Sequence, residues 1–193
     1  MTQETISKAL MQQLLKIGSS LSSEKDIDQL LENILQAAMQ ITHADAGTLY
    51  RVIDDKHLKF EIVHTKSKGV HLGGKSSQPI TIPSLSLFKE DGDLELGRVV
   101  CYAYHKEQTV NIADAYNADG FDFTGTHKFD VANGYRSISF LTVPMKNHES
   151  EIIGVLQLIN ATDATGSVVS FSQADRRLAE SLASQAAIAL TNR

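Results

Sequence analysis

Apolar positions at Ile6, Leu10, Leu14, Ile17 and Leu21 recur at three- and four-residue steps, so the chain opens on a single helical stripe. Ser23 followed by Asp26 reads as an acidic capping box that restarts the helix. The stripe then resumes at Ile27, Leu31, Ile34, Ala38 and Ile41. From Asp45-Ala46-Gly47 the texture changes to short apolar runs. Leu49 to Ile53 and Leu58 to Val63 flank the polar Asp54-Asp55-Lys56-His57, which predicts a β-hairpin. Residues 65–97 contain Pro79, Pro83 and Gly73-Gly74 and read as a long connection, with a short strand near Ile80-Thr81-Ile82. A short helix is expected over Leu96–Lys106 and a strand over Gln108–Ile112. Asp114 to Tyr135 reads as a loop carrying Tyr116, Phe121, Phe123, Phe129 and Tyr135, too aromatic for a disordered linker and suited to a lid. A second hairpin follows, with Ser137 to Val143 joined to Ile152 to Ile159 through Asn147-His148-Glu149-Ser150. Ser172 with Asp175 caps a final helix whose stripe is Leu178, Leu182, Ala186 and Leu190.

Helices at both ends of a β-rich centre predict an α+β fold. It would be an antiparallel sheet of about six strands with the terminal helices on one face. The chain of 193 residues exceeds one ordinary domain of about 150 by roughly 40, and that surplus falls on the leading and trailing helices. Apolar residues make up 42% and charged residues 21%, a globular balance. Eighteen basic against twenty-three acidic residues, net −5, speak against a nucleic-acid surface. One cysteine, Cys101, excludes a disulfide scaffold. No apolar run approaches the ~20 residues that span a bilayer, and Met1-Thr2-Gln3-Glu4 lacks a signal-peptide pattern, so direct membrane insertion is not expected and a cytoplasmic location is.

One ordered set of motifs carries a resemblance. It runs from Asn111-Ile112-Ala113-Asp114-Ala115-Tyr116 through Phe129-Asp130 to Gly134-Tyr135-Arg136-Ser137. It continues in Phe140-Leu141-Thr142-Val143-Pro144-Met145 and Ile153-Gly154-Val155-Leu156-Gln157-Leu158-Ile159-Asn160, and closes on Phe171-Ser172-Gln173-Ala174-Asp175. This text resembles a GAF domain, a small-molecule sensor module, over roughly residues 25–190. The resemblance implies a GAF-like, PAS-related sheet with a loop-covered ligand pocket on the face opposite the terminal helices. It also implies a division into a signalling or dimerisation helix at 1–22 and a single sensor domain at 23–193. Its last helix, 172–193, would continue into an output domain. Gly120-Phe121-Asp122-Phe123-Thr124-Gly125-Thr126 and Val143-Pro144-Met145-Lys146-Asn147-His148-Glu149 are similar to the sensors of bacterial HD-GYP-type phosphohydrolases and of some nucleotide cyclases. Neither an HD nor a GYP motif occurs, since Gly134-Tyr135 is followed by Arg136. Of the signature of cyclic-nucleotide-binding members, Asn160, Phe171 and Asp175 match. Ala161 replaces the lysine and Arg176 the glutamate, so the family's lysine–aspartate brace is excluded and Asp175 is left a helix-capping role.

By resemblance, the ligand-binding set is Asp114, Tyr116, Phe129, Asp130, Tyr135, Arg136, Ser137 and Ser139. These residue types suit a nucleotide: aromatic faces stack a base, and Arg136 is able to clamp a phosphate or, alternatively, to pair with Asp130. The alternative reading of Phe129, Tyr135 and Phe140 is core filling. Cys101, among Val99, Val100 and Tyr102, reads as a buried thiol, and a lone cysteine cannot run a sulfoxide-reductase cycle that needs a resolving partner. His57, His64 and His71 stand seven apart, which in extended chain turns successive side chains to opposite faces, and no metal-ligand spacing occurs. No catalytic motif is present.

The resulting expectation is a non-catalytic sensor domain needing no cofactor. A small-molecule ligand, with a cyclic nucleotide as the implied candidate, would control a phosphodiesterase or cyclase, and a homodimer would form through the terminal helices. The alternatives are a ligand-free dimerisation module and a free methionine-(R)-sulfoxide reductase.

Overall fold

The computed structural model describes residues 26–191, together with Gln12, Leu15, Gly18, Ser19 and Ser23. The helix expected over 1–22 lies almost wholly outside the described residues. Helix α1 (Ile27–Ile41) begins where the Asp26 carboxylate accepts the Gln29 N–H at 3.1 Å. The N-cap is therefore Asp26 itself, and Ser23 is already helical. At the other end Thr42 donates its hydroxyl to Ala38 O at 2.8 Å.

A single antiparallel sheet follows, in the order β3-β2-β1-β7-β6-β5. Its strands are β1 (Ala44–Ile53), β2 (His57–Thr65), β3 (Val70–Gly73), β5 (Val110–Ile112), β6 (Phe140–Lys146) and β7 (Ile152–Thr162). Two short strands, β4 (Leu85–Ser86) on β2 and β8 (Val168–Val169) on β7, raise the count to eight. The expected number of about six is thus low by these two pairings. No strand forms at 80–82: the pair that finds a ladder partner is Leu85-Ser86, opposite His57-Leu58.

Helix α4 (Gln173–Thr191) starts on a reciprocal cap: Ser172 N–H and hydroxyl donate to Asp175 at 2.7 and 2.8 Å, and Asp175 N–H donates back to the Ser172 hydroxyl at 3.1 Å. Both α1 and α4 cover one face of the sheet. Their Leu30, Ile34, Leu35, Leu182 and Ala186 meet Leu49, Leu141, Leu156 and Leu158, all fully buried. The fit is close at Gly47, where a Cβ would stand 2.7 Å from the Leu35 side chain, so α1 lies directly on β1.

The opposite face carries α2 (Val99–Lys106) and α3 (Thr124–Asn133). Helix α2 is three residues shorter at its start than expected, and β5 begins at Val110. Helix α3 lies inside the segment expected to be a loop. Its sequence shows almost no apolar stripe and buries only Asp130. Local signals set its ends instead: the Asp122 carboxylate accepts Thr124 N–H at 2.9 Å, and Gly134 stops it in the left-handed conformation, φ 58°.

A β-bulge decides which side chains reach that face. Leu49 pairs with Ile62 but Tyr50 pairs with Phe60, so Glu61 is the extra residue. As a result Leu58 and Phe60 pack beside α2, whereas Ile62 packs beneath α1. Among the described residues, no helix is long and apolar enough to cross a membrane.

Candidate functional site

Between the sheet and the α2–α3 layer lies a cavity of about 370 Å³, within the range of small-molecule sites. Its floor comes from adjacent strands in register. Thr48 on β1 faces Gln157 on β7, which faces Thr142 on β6. All three are buried polar residues in the middle of a sheet. Gln157 Nε2 donates to Thr142 Oγ1 at 3.1 Å, and the Tyr50 hydroxyl stands 3.5 Å from Gln157 Oε1. Thr48, Tyr50 and Gln157 border the cavity, so a carboxamide and hydroxyls face any occupant. Burial pushes the Tyr50 hydroxyl well above its usual range, which keeps this floor neutral.

Aromatic rings make the walls: Phe60 from β2, Phe123 and Phe129 from the α3 layer, and Phe140 from β6. Ile82 from the β3–β4 connection and Leu85 from β4 close one side. Arg98 and Asp122, both exposed, also border it. Arg98 is the residue before α2, and no side chain caps that helix, whose first residues Val99 and Val100 line the cavity. Helix N-termini hold unpaired amides and partial positive charge, so this end favours an anion.

The residues expected from sequence divide into two groups. Phe129, Tyr135 and Ser137 border the cavity. Asp114, Tyr116, Asp130, Arg136 and Ser139 do not, and their bonds hold the wall in place. Asp130, 2% exposed, accepts the Tyr116 hydroxyl at 2.7 Å, the Ser137 N–H at 2.8 Å and the Ser137 hydroxyl at 2.7 Å. Arg136 lies over the Tyr116 ring, its guanidinium carbon 3.9 Å from the centroid, rather than pairing with Asp130. The other face of Tyr116 stacks on His127 of α3 at 4.3 Å. Asp114 closes a local turn through Tyr116 N–H and the Asn117 amide, and these bonds hold its carboxyl below the usual range.

The signature residues are structural in the same sense. Asn160 sits in the left-handed region at φ 58°, 3% exposed. Its Oδ1 accepts the Ile138 and Ser139 amides at 2.8 and 3.3 Å, and its Nδ2 donates to Arg136 O at 2.8 Å and the Tyr135 hydroxyl at 3.0 Å. The Tyr135 hydroxyl donates a hydrogen bond to Asp45 at 2.8 Å, and burial, then Asp45, push its pKa upward. Ser139 accepts Ala161 N–H at 3.2 Å. Phe171 is buried in the core under the terminal helices, and Asp175 caps α4.

Two sequence expectations concern chemistry. Cys101 is fully buried, 3.6 Å from Ser86 O, and burial pushes its thiol up to about 12. His64 and His71 do not point apart. The turn at 66–69 reverses the chain, so the two stand opposite each other in β2 and β3 with ring centroids 5.0 Å apart. His57 bonds Asp54 instead, and among the described residues no group of three or more such side chains has the arrangement of a metal site. The floor residues Thr48, Tyr50 and Gln157, with Arg98, are those that sequence reading missed. The signal was a glutamine inside the apolar run Val155 to Ile159.

A sequence model of the GAF domain matches residues 26–190. The chain is 30% identical over 148 residues to a cGMP-specific 3',5'-cyclic phosphodiesterase of Drosophila pseudoobscura pseudoobscura, covering 74% of this chain. It spans only 12% of that relative's length. Among solved structures, the GAF domain of a phosphoenolpyruvate-protein phosphotransferase from Coxiella burnetii superposes with a TM-score of 0.69 at 15% identity, covering 95% of this chain and 93% of that one. Free methionine-R-sulfoxide reductase from Neisseria meningitidis, in complex with its substrate, gives a TM-score of 0.57 at 16% identity, over 95% of this chain and 92% of that one. With the fold, the motif order and the sequence match in agreement over these residues, the chain belongs to the GAF domain family, a family of regulatory sensor domains.

Proposed function

We propose that this domain is a non-catalytic receiver for a cyclic nucleotide, cyclic GMP being the first candidate, within a cytoplasmic signalling protein that carries a cyclic-nucleotide phosphodiesterase or cyclase. The observation that carries the reading is the cavity itself, with a neutral hydrogen-bonding floor, aromatic walls and a helix end without a side-chain cap, where Arg98 stands beside Asp122. A flat heterocycle fits between the rings with its polar edge on Gln157 and Thr48. The cyclic phosphate then reaches Arg98 and the start of α2. Support for cyclic GMP comes from the name of the phosphodiesterase relatives. The HD-GYP-type output rests on the motifs at 120–126 and 143–149 alone. No cofactor is required by this reading. A buried Cys101 with a raised pKa supports a regulatory rather than a reductase role.

Calorimetric titration of the purified domain with cyclic GMP and cyclic AMP tests it. We expect saturable heat with one of the two and about tenfold weaker binding in Arg98→Gln, a loss worth roughly 1.4 kcal/mol. Absence of heat and of any thermal shift with both nucleotides overturns the reading.

A second reading, dimerisation through the terminal helices, is favoured by Ile27 and Ile188, which are large, apolar and exposed on α1 and α4. A dimeric mass in light scattering supports it, and a concentration-independent monomer refutes it.

A further inference from the structure

Outside the cavity, a buried carboxylate stands between the helix layer and one cavity wall. Glu32 on α1 is 3% exposed. Its Oε2 bonds His71 Nε2 on β3 at 3.0 Å, and its Oε1 accepts the Gln36 amide at 2.9 Å. The chain just beyond β3 is pressed against it, since a Cβ on Gly74 would lie 2.6 Å from Glu32 Oε2. Six residues earlier, at the start of the same helix, the N-cap Asp26 pairs with Lys75. A buried hydrogen bond and an ion pair therefore join the first half of α1 to residues 71–75.

That short stretch is bound to its own continuation. Ser76 Oγ donates to His71 O at 2.9 Å, Ser76 N–H to Gly73 O at 2.9 Å, and Gly73 N–H to Gln78 O at 2.9 Å. Gly73 also abuts Ile80, whose Cδ1 would be 2.7 Å from a Cβ there. Residues 71–80 thus form one closed turn, and two residues later Ile82 enters the cavity wall, followed by Leu85. The mechanical path is short: cavity wall, closed turn, His71, Glu32, α1. A buried charge holds its partner at fixed distance because separating the two leaves the charge without compensation. The His64 ring, which borders the cavity, stacks on His71 at 5.0 Å between centroids, so the His71 imidazole is held by a ring contact as well as by Glu32.

We propose that the Glu32–His71 pair, assisted by Asp26–Lys75, is the tie through which the Ile82–Leu85 wall of the cavity and helix α1 move together. Glu32 and His71 are positioning residues: they touch no occupant of the cavity, and they set where one of its walls stands. The inference rests on the reading of the cavity as a ligand site for its biological use, but the tie is testable without any ligand.

Hydrogen exchange followed by mass spectrometry on the whole chain reads it. In ligand-free protein, Glu32→Gln keeps the shape and removes the charge. Amides of residues 71–86 should then exchange about tenfold faster, while those of α3 (124–133) keep their rate. Unchanged exchange over 71–86, or uniform acceleration everywhere, overturns the tie. If Glu32→Gln does not fold, His71→Gln is read in the same way, and Lys75→Ala, a half-exposed partner, gives a smaller acceleration of the same residues. In a second arm, cyclic GMP should slow exchange in both 76–86 and the first half of α1 in the wild type, and in 76–86 alone in Glu32→Gln. Protection of α1 that survives Glu32→Gln refutes the coupling. Failure of cyclic GMP to bind the wild type counts against the proposed ligand and leaves the first arm to decide the tie.

Discussion

Replacing Asn160 by alanine removes a clamp whose cost can be worked out from its bonds. The side chain makes four hydrogen bonds, to Ile138 N–H, Ser139 N–H, Arg136 O and the Tyr135 hydroxyl. It sits buried on β7, bonded to the chain at 135–139 that joins α3 to β6, where water does not take over these groups. At about 1 kcal/mol net per buried bond, the loss is about 4 kcal/mol. The backbone at φ 58° adds to it, because alanine pays roughly 1 kcal/mol in the left-handed region, which asparagine tolerates through its short polar side chain. Asn160→Ala is therefore expected to destabilise the domain by about 4–5 kcal/mol, and Asn160→Gly by about 1 kcal/mol less. With an m-value near 2 kcal/mol/M, urea unfolding should show a midpoint lowered by about 2 M at unchanged slope. A shift of less than about 0.5 M would refute the clamp, and equal loss in the alanine and glycine variants would refute the backbone contribution.

Three further outcomes follow from the same geometry. Gln157→Leu fills a similar volume but takes a partner from Thr142 and from the Tyr50 hydroxyl, so the thermal midpoint should fall modestly while cyclic-nucleotide affinity falls about tenfold or more; equal affinity would remove Gln157 from the recognition floor. Cys101, buried with its pKa raised to about 12, should resist a thiol reagent at pH 8 in the native protein and react at once in denaturant; fast native labelling would contradict its place in the core. Burial, then His71, lower the pKa of His64 below its unfolded value near 6.5, so the folded state binds fewer protons than the unfolded one. Stability should be complete above that value and decline as the pH falls through it, and the decline should be shallower in His64→Gln; parallel pH profiles of the two would refute the assignment.

Much of the framework was legible along the chain because it depends on neighbours a few residues apart. Ser172 and Asp175 cap a helix by mutual bonds three residues apart, and that geometry is local. The two hairpins follow from alternation across a short polar turn, and the ordered motifs from Asn111 to Asp175 carried the family resemblance. The absent lysine at Ala161 already limited Asp175 to capping. The candidate site was legible only in part. Phe129, Tyr135 and Ser137 border the cavity, but Asp130, Tyr116 and Arg136 hold its wall by bonding one another.

The remainder depends on register, which no local pattern carries. A single extra residue at Glu61 sends Phe60 to the cavity and Ile62 to the core, although both are apolar and two apart. A chain reversal at 66–69 brings His64 and His71 face to face and sets His71 on Glu32, 39 positions earlier in the chain. Thr48, Gln157 and Thr142 become one polar row only when three strands align. Sequence by itself determined α1, α2, α4, the two hairpins and the family, through local patterns, whereas α3 was read as loop because it carries almost no apolar stripe. Tertiary structure decided the floor of the cavity and the tie to α1, because burial and cross-strand pairing join residues whose separation in the chain leaves no periodic trace.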